Sequence, residues 1–482
     1  MINSSVLLFF NFSDIGFYST KLSTVDLILL ILYAVICIVI GLLSSRNQKD
    51  EDYMIAGRKL NMWGFVMSVV ASYIGGAAIV AYSAYVYQFG ISALAIFIGT
   101  AAGFLLFIPY ALKLRKISSE KKFITLSDWF YYKFNKKIGL LSAIILFVVY
   151  FGMLLNQFIA GSSILSKISG WSYETALLVS SVVICIYLFA GGFRSVIKTD
   201  IFQYLVLFVL FIFLGFFFLT GKKDTALGLL DFSEMSISMT IAFIAFGIFI
   251  IFQSAEYWQR VYAAKNEKVV KKGFKISAIL VVITGFAISI VGLTARGVSG
   301  LEAKDAFAQG LTMLLPQKFI GAGLVLIFAA IMSSADTIIF VLASSVSKDW
   351  FGRLMDEKQN KHEAMKQTRL FIVIFSLLGF TFAYSFRDLV AVIVFITGIG
   401  FTIVPATIAS FHYKLKNSAV YASFISGLTY VILLVCVANF QAEPLAFFKD
   451  NADMSIASIL VSFIFLVIFQ KFGKENNNSE AI

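Results

Sequence analysis

The chain has 482 residues, of which 60% are hydrophobic and only 14% are Asp, Glu, Lys or Arg, whereas about 25% of a typical soluble domain is charged. The 39 basic and 27 acidic residues give a net charge of +12, but these charges lie between apolar runs, where they orient a membrane protein. The composition excludes an ordinary soluble protein. It predicts an all-α, polytopic membrane protein that resides in the lipid bilayer and binds no nucleic acid.

Apolar runs predict about 13 transmembrane helices, since one crossing needs about 20 mainly apolar residues. The runs cover 22–45, 61–83, 89–112, 138–166, 172–191, 196–219, 236–258, 274–296, 319–347, 368–386, 389–411, 418–439 and 454–470. Because the number is odd, the two termini are expected on opposite sides of the membrane.

The orientation follows from the basic residues, because positively charged loops stay in the cytoplasm. Alternate connections hold 30 of the 39 Lys and Arg residues. We therefore expect the N-terminus outside and the C-terminus inside, in the plasma membrane or, in a bacterium, the inner membrane. The aromatic and charged segment 123–135 predicts a helix at the inner interface.

The sequence offers little for an enzyme or an ATP-driven pump. It has two His residues and contains no HExxH, Walker or Gly-rich nucleotide motif, so neither enzymatic activity nor a cofactor is expected. No connection is long enough for a soluble domain. Function is therefore expected from polar residues inside the apolar spans, where polarity is costly and marks a pathway or binding site.

The second span contains Ser72, Tyr73, Gly75 and Gly76 near its middle. Two adjacent glycines lower helix propensity by about 1 kcal/mol each relative to Ala, and a broken helix exposes carbonyls that bind a cation where they line a cavity. Close packing of small residues explains the same pattern. From this segment alone, both interpretations remain open.

The ninth span places Ala330, Ser333, Ser334 and Thr337 on one helical face by their i, i+3, i+4 and i+7 spacing. Oxygen-bearing side chains of this kind suit a sodium ion, which prefers oxygen ligands and a weak field. The alternative is that each serine bonds to its own helix or to a neighbouring helix.

Two aspartates lie in or beside the spans. Asp336 is deep in the ninth span, where even a mild insertion scale gives about 2.5 to 3.5 kcal/mol for a central carboxylate, so it needs a partner, a cation or a proton. Asp200 is at the cytoplasmic start of the sixth span, where it is also explained by a favourable position at a helix N-terminus.

Further polar residues interrupt the fourth and seventh spans. Gln253 and Ser254 are candidate cavity residues, whereas Glu256 and Arg260 are spaced i, i+4 and predict an ion pair at the helix end. Gln157 is explained either by a hydrogen bond between helices or by contact with a solute.

Five segments together resemble the sodium/solute symporter family, which includes sodium-coupled sugar, proline, pantothenate, iodide and choline carriers. The segments are AGRKL, FITLSDWFYYKF, AGGFRSVIKTDIFQ, WQRVYAAKNEKVVKKG and AAIMSSADT. The resemblance implies two inverted five-helix repeats with broken helices that face each other near the midplane. These repeats would cover 61–219 and 236–411, after an extracellular N-terminus and leading helix in 1–60 and before two trailing helices in 418–470 and a cytoplasmic tail in 471–482.

The resemblance also implies the positions of the ion sites. One sodium would bind to the carbonyls of Ala71, Ile74 and Ala330 and the hydroxyls of Ser333 and Ser334. The resemblance to some members of the family implies a second sodium site, which would lie here at Asp200, Asp336 and Thr337.

The resemblance does not identify the substrate. Tyr73 stands where proline carriers have an Asp, and Met153 stands where sialic-acid carriers have an Arg. We expect a small polar organic solute, with amino-acid-like compounds favoured. The candidate solute-binding residues are Tyr73, Gly75, Gly76, Gln157, Gln253 and Ser254.

The sequence therefore predicts a sodium-coupled symporter that imports its solute by alternating access. Its expected partners are the small-molecule solute, sodium as coupling ion and the lipid bilayer, with no obligatory protein partner. One alternative is proton coupling through Asp336, and another is a solute-sensing membrane protein without transport. Missing signalling domains argue against the sensor.

Overall fold

A computed structural model describes residues 23–221, 231–353, 361–385, 398–441 and 452–473. These residues are helical apart from connections and one isolated bridge between Leu60 and Ala264. The α-helices are α1 Thr24–Ser45, α2 Asp50–Ile55, α3 Met62–Tyr73, α4 Gly76–Phe89, α5 Ala95–Lys121, α6 Ser127–Lys133, α7 Lys136–Ser169, α8 Tyr173–Gly221, α9 Ile237–Gln253, α10 Ala255–Ala263, α11 Glu267–Ala295, α12 Ala306–Leu314, α13 Ile320–Ser345, α14 Lys361–Ser385, α15 Val404–His412, α16 Asn417–Asn439 and α17 Ser458–Phe472. The predicted extracellular residues 1–22 and most of the predicted tail lie outside the described residues.

Each predicted apolar run coincides with a helical segment. For the run 389–411, the structure describes only the part from residue 398 onward. Within the described residues, eight helices are individually long and apolar enough to cross a membrane, or nine if the bent pair α9 and α10 is one span. Two of these helical stretches have 46 and 48 residues and measure about 70 Å at about 1.5 Å per residue. Each is therefore long enough for two crossings of a core about 30 Å thick. The prediction of an all-helical polytopic membrane protein is confirmed.

Two glycines divide these long stretches. Gly90, between α4 and α5, has φ 58° and ψ −151°, and Gly192, inside α8, has φ 55° and ψ −145°. Residues with a side chain rarely adopt such angles. At Gly192 a Cβ atom would also lie 2.7 Å from the Tyr53 ring. The turn at Gly192 lies between the predicted runs 172–191 and 196–219, and the chain is helical on both sides of it.

Helix α13 lies at the centre of the described structure. It packs against α1, α7, α8 and α14, and nearly all of its residues are buried. A helix that is apolar around its whole circumference belongs in such a position. The oxygen-bearing residues of α13 therefore face protein on every side and find their partners on neighbouring helices or on the backbone of α13 itself.

The inner-interface helix predicted in 123–135 corresponds to α6. Its Asp128 is fully buried, and the carboxylate accepts hydrogen bonds from Lys348 Nζ at 2.6 Å, from Arg353 and from the backbone N–H of Thr125 at 2.9 Å. Burial by itself would raise the pKa of Asp128, but the two cations hold this pKa below its ordinary value. Asp128 thus joins α6 to the π-helical turn Val346–Gly352 that follows α13.

We expect Asp128→Asn to lower the free energy of unfolding by about 3 kcal/mol, since two cations lose a buried partner. Because the pKa of Asp128 is depressed, this stabilisation is present above the ordinary Asp pKa and is lost as pH falls through the folded pKa. Thermal unfolding of the purified protein at pH 5 to 8 measures the difference. The exposed Glu120→Gln is the control, and equal melting temperatures for Asp128→Asn and wild type would contradict the prediction.

Candidate functional site

The first helix break lies between α3 and α4. Ile74 has φ −95° and ψ 68°, Gly75 has φ −84° and ψ 163°, and helical geometry resumes at Gly76. A Cβ atom on Gly75 would lie 2.3 Å from Gln157 Nε2 and 2.7 Å from Ser334 Oγ. A side chain at position 75 would displace Gln157 of α7 and Ser334 of α13. The structure thus contains both the break and close packing of a small residue at the same place.

Gln157 of α7 stabilises the start of α4. Its Oε1 accepts a hydrogen bond of 3.1 Å from the backbone N–H of Ala77, which is one of the N–H groups that a helix N-terminus leaves without an intrahelical partner. Gln157 is buried. Its amide therefore marks the wall of the break, next to Gly75 and Gly76.

The serine pair of α13 faces the end of α3. Ser333 Oγ lies 3.2 Å from the carbonyl oxygen of Ala71 and 3.1 Å from that of Ala330, and Ser334 Oγ lies 3.1 Å from the carbonyl oxygen of Ser72. A hydroxyl has one hydrogen and two lone pairs, so Ser333 bonds to one carbonyl at a time. The Ala71, Ala330 and Ser333 oxygens form a compact group of acceptors between the two helices.

The separations around Ser333 Oγ are hydrogen-bond distances, and the same distances are compatible with one small hard cation among these oxygens. In an octahedron with edges of 3.2 Å, the distance between Ser333 Oγ and the Ala71 oxygen, the centre lies about 2.3 Å from each corner, which is a usual distance from a hard cation to oxygen. Ile74 is buried and has non-helical backbone angles at the same break. All five residues predicted for the first sodium site thus lie at the contact between α13 and the break.

The second helix break is at Ser254, which has φ −79° and ψ 101°, and it bends α10 by 52° from α9. Ser254 Oγ donates a 2.7 Å hydrogen bond to Ile250 O on its own helix. Gln253 packs closely against Gly400, where a Cβ atom would lie 2.2 Å from Gln253 Oε1. These two residues line the second break.

The predicted solute-binding residues therefore form two groups. Tyr73, Gly75, Gly76 and Gln157 surround the first break, and Gln253 and Ser254 lie at the second. The hydroxyl of Tyr73 is 2.6 Å from Thr100 Oγ1, and its ring meets Phe97 edge-on at 5.4 Å between centroids. Tyr73 thus connects the first break to α5.

Arg260 of α10 is completely buried and occupies the space between the two breaks. Its Nη2 lies 3.0 Å from Asp200 Oδ2, 2.5 Å from Ser72 Oγ and 3.1 Å from Thr337 Oγ1. Its Nε donates to Ser68 Oγ at 2.7 Å, and Ser68 Oγ lies 2.5 Å from Asp200 Oδ2. The rigid guanidinium fork, with five N–H donors, suits this set of acceptors.

The predicted ion pair between Glu256 and Arg260 was wrong. Arg260 Nη1 donates to the backbone oxygen of Glu256 at 3.1 Å, and the ion pair is with Asp200. The Glu256 carboxylate instead bonds to the hydroxyl of Tyr150 on α7. Sequence reasoning missed this network. The signal that could have indicated it is the i, i+4 spacing of Ser68 and Ser72 on α3, which places two hydroxyls on one face.

The two aspartates have different partners. Asp200 is paired with Arg260, whereas Asp336 Oδ2 accepts a 2.7 Å hydrogen bond from the hydroxyl of Tyr187 and lies 3.4 Å from Thr199 Oγ1. Both are fully buried. Of the residues predicted for the second sodium, the structure joins Asp200 and Thr337 through Arg260, while the Asp336 side chain bonds elsewhere.

We expect Arg260→Gln and Asp200→Asn each to lower the free energy of unfolding by about 3 to 5 kcal/mol, because each leaves a buried charge without its partner. In the double variant, the loss should be smaller than the sum of the two by about 1 to 3 kcal/mol. Unfolding of the purified protein measures this cycle. The exposed Lys198→Gln on the same helix is the control, and strict additivity would show that the pair contributes nothing.

Comparisons with known proteins agree with this arrangement. The sodium:solute symporter family model matches residues 53–411. A sodium/proline symporter of Staphylococcus aureus (strain bovine RF122 / ET3-1) is 25% identical over 486 residues, which cover 93% of each protein. The structure of a Na+-coupled sialic acid symporter in a substrate-bound outward-open state aligns with a TM-score of 0.73 at 17% identity, over 93% of this chain and 98% of that one.

A second solved structure shares the fold at greater distance. It is a nucleobase-cation-symport-1 family transporter in a closed conformation, with a TM-score of 0.57 at 12% identity over 87% of this chain and 94% of that one. The matched family consists of transporters and not of enzymes, which confirms that prediction. The chain belongs to the sodium:solute symporter family and is a multi-pass, sodium-coupled solute symporter.

Proposed function

We propose that the protein uses sodium to import a small polar organic solute, with amino-acid-like compounds favoured, by alternating access. The observation that carries this proposal is that the carbonyl oxygens of Ala71 and Ala330 lie 3.2 and 3.1 Å from Ser333 Oγ, at the contact between α3 and α13. Family membership supports sodium over a proton as the coupling ion.

The proposed sodium ligands are the carbonyls of Ala71, Ile74 and Ala330 and the hydroxyls of Ser333 and Ser334. Three of these residues belong to α13, Ala71 belongs to the last turn of α3, and Ile74 lies in the break that follows. An ion at this place would draw the broken helix and α13 together. Sodium binding would thereby stabilise one arrangement of the two helices, which is the differential interaction that coupling requires.

The proposed solute site lies at the breaks. The N-terminus of α4, with Gly75, Gly76 and the Gln157 amide beside it, carries a partial positive charge that favours an anionic group such as a carboxylate. The sodium/proline symporters among the relatives support an amino-acid-like solute. Tyr73, Gln253 and Ser254 would then contact the rest of the solute.

The proposed orientation has the N-terminus outside and the C-terminus inside the plasma membrane, or the inner membrane of a bacterium. The support is the distribution of basic residues along the sequence. Arg260 is one of the residues counted on the inner side, yet it is a buried ion-pair residue. Without it, 29 of the 39 basic residues remain on the inner connections.

We expect uptake into proteoliposomes to require sodium outside and to increase when the interior is negative. A potential of about 100 mV contributes about 2.3 kcal/mol per charge, and a tenfold sodium gradient adds about 1.4 kcal/mol. The purified protein is screened against a panel of radiolabelled amino acids and other small polar solutes. Equal uptake of a transported solute when choline replaces sodium would refute sodium coupling.

We expect Ser333→Ala and Ser334→Ala each to raise the sodium concentration for half-maximal uptake about tenfold, equivalent to about 1.4 kcal/mol of ion binding. Each change removes one proposed ligand oxygen without lowering helix propensity. Ser180→Ala is a matched control, because this buried hydroxyl bonds to Ala176 O of its own helix. If both α13 variants keep the wild-type sodium dependence at normal expression, sodium does not bind at the serine pair.

A further inference from the structure

A groove lies between the start of α7 and the two trailing helices, α16 and α17. It is lined by the first turn of α7, by one face of α16 and by one face of α17. Its volume is about 790 Å³, which is within the range of about 300 to 1,000 Å³ for small-molecule sites. The groove is therefore large enough to hold a ligand, and none of the residues proposed for sodium or solute lines it.

Helix α16 forms the length of the groove. Its lining residues Asn417, Tyr421, Ile425, Thr429 and Leu433 recur every fourth position, which places them along one face. From the first to the last of them this face is about 24 Å long, at about 1.5 Å per residue. One leaflet supplies about half of a hydrocarbon core that is about 30 Å thick. The groove is thus long enough for an extended acyl chain.

Helix α17 runs antiparallel to α16 and forms the opposite wall. The backbone N–H of Lys416 donates to Gln470 Oε1 at 2.9 Å, and Lys416 Nζ donates to Gly473 O at 2.9 Å, so the end of α17 lies beside the start of α16. Phe465 and Phe469 line the groove and are 40% and 38% exposed. A concave apolar surface loses dispersion contacts unless other atoms fill it.

One end of the groove is polar and positively charged. Asn135 and Lys137 at the start of α7 and Asn417 and Ser418 at the start of α16 line this end. Lys137 is exposed, and among the described residues it takes part in no ion pair. Its ammonium group is available to a ligand at this end of the groove.

The charges around this end all have the same sign. The segments 129–173, 389–442 and 454–473, which supply the groove, contain no Asp or Glu. Their basic residues at this end of the helices are Lys133, Lys136, Lys137, Lys414, Lys416 and Lys471. The complementary ligand has a negatively charged group at one end and a long apolar part.

We propose that the groove binds an anionic phospholipid, with its phosphate beside Lys137 and an acyl chain along α16 towards Leu433. Basic pockets between membrane helices on the cytoplasmic side bind the head groups of anionic lipids. Tyr421 lies one helical turn deeper than Asn417 and is 48% exposed, as is usual for a tyrosine at the level of the head groups.

The same charges disfavour a second copy of this chain as the occupant. A two-fold contact uses the same patch on both copies, so it would bring two groups of lysines together. The choice of the inner leaflet uses the proposed orientation, whereas the lipid site itself is independent of sodium coupling and goes beyond the proposed function.

A lipid in the groove would contact α7 and both trailing helices at once. Within the described parts of the chain, α16 and α17 pack mainly against each other and α15, with a smaller contact to α7. The ring of Phe424 on α16 also meets that of Phe130 on α6 at 5.3 Å between centroids. The bound lipid would therefore strengthen the attachment of the trailing helices to the rest of the protein.

The test measures lipid binding to the full-length purified protein in detergent by native mass spectrometry. Phosphatidylglycerol and phosphatidylcholine with identical acyl chains are the two probes. We expect the wild type to bind phosphatidylglycerol more tightly, and Lys137→Gln to lower this affinity about fivefold, the usual contribution of one lysine near an anionic lipid surface. The affinity for phosphatidylcholine should stay the same. Equal wild-type affinities for the two lipids would overturn the proposal.

Lys271→Gln is the matched control for charge, because Lys271 is exposed on α11 and does not line the groove. It should keep the wild-type affinity for phosphatidylglycerol. An equal loss in Lys271→Gln and Lys137→Gln would show that the net charge attracts the lipid without a site, which would also overturn the proposal.

Val461→Phe tests the position of the acyl chain, because it narrows the groove without changing any charge. It should lower the affinity for phosphatidylglycerol, whereas Val467→Phe, at a 49% exposed position of the same helix outside the groove, should not. Wild-type affinity in Val461→Phe would place the chain elsewhere and refute the site. If Val461→Phe does not fold, the comparison of Lys137→Gln with Lys271→Gln decides the outcome.

Light scattering of the same samples detects the other occupant. A wild-type dimer that Val461→Phe dissociates, with no preference for phosphatidylglycerol, would assign the groove to a second copy of the chain and overturn the lipid site. None of these measurements uses transport, so failure of the lipid site would leave the proposed sodium-coupled function intact.

Discussion

The buried guanidinium of Arg260 is the constraint on which the arrangement of both helix breaks depends. A charge removed from water is stable only with a partner of opposite charge and full hydrogen bonding. Its partners come from α3, α8, α10 and α13, through Ser68, Asp200, the Glu256 carbonyl and Thr337. Movement of any one of these helices relative to the others would break hydrogen bonds to a buried charge. The ion pair therefore fixes the position of α10 against the first break.

The first break shows how a helix can end inside a membrane protein. Free N–H groups and carbonyls at helix ends require partners, because lipid supplies none. Gln157 bonds to an N–H group of α4, and Ser333 and Ser334 bond to carbonyls of α3. A serine hydroxyl either donates to a carbonyl or turns a lone pair towards a cation. The same two serines can thus satisfy the break with and without an ion, which alanine or valine cannot do.

The two aspartates are both fully buried, but they have different partners. Arg260 neutralises Asp200 within the protein, whereas Asp336 meets only hydroxyl groups through its bonded oxygen. The two carboxylates on either side of the Arg260 network therefore differ in how the protein compensates their burial: Asp200 has a charged partner, and Asp336 has hydroxyl donors.

The sequence by itself determined the features that arise from local pattern. Apolar runs gave the helical segments, because the need for about 20 apolar residues per crossing is a property of one segment. The adjacent glycines Gly75 and Gly76 left a helix break and close packing both open, whereas the 3.6-residue period placed Ser333 and Ser334 on one face of α13. Family motifs spread along the chain indicated the sodium:solute symporter family.

The tertiary structure decided which polar groups meet. Arg260 follows Glu256 by one helical turn, so local spacing predicted the wrong partner, whereas Asp200 is 60 residues away and reaches Arg260 only through packing of α8 against α3. The hydrogen bond from Tyr187 to Asp336 joins residues that are 149 positions apart, and neither has a local signal for the other. The turn at Gly192 also depends on close contact with Tyr53. Partner choice for a buried charge or hydroxyl is a non-local property, because the desolvation that makes a partner necessary exists only after the helices have packed.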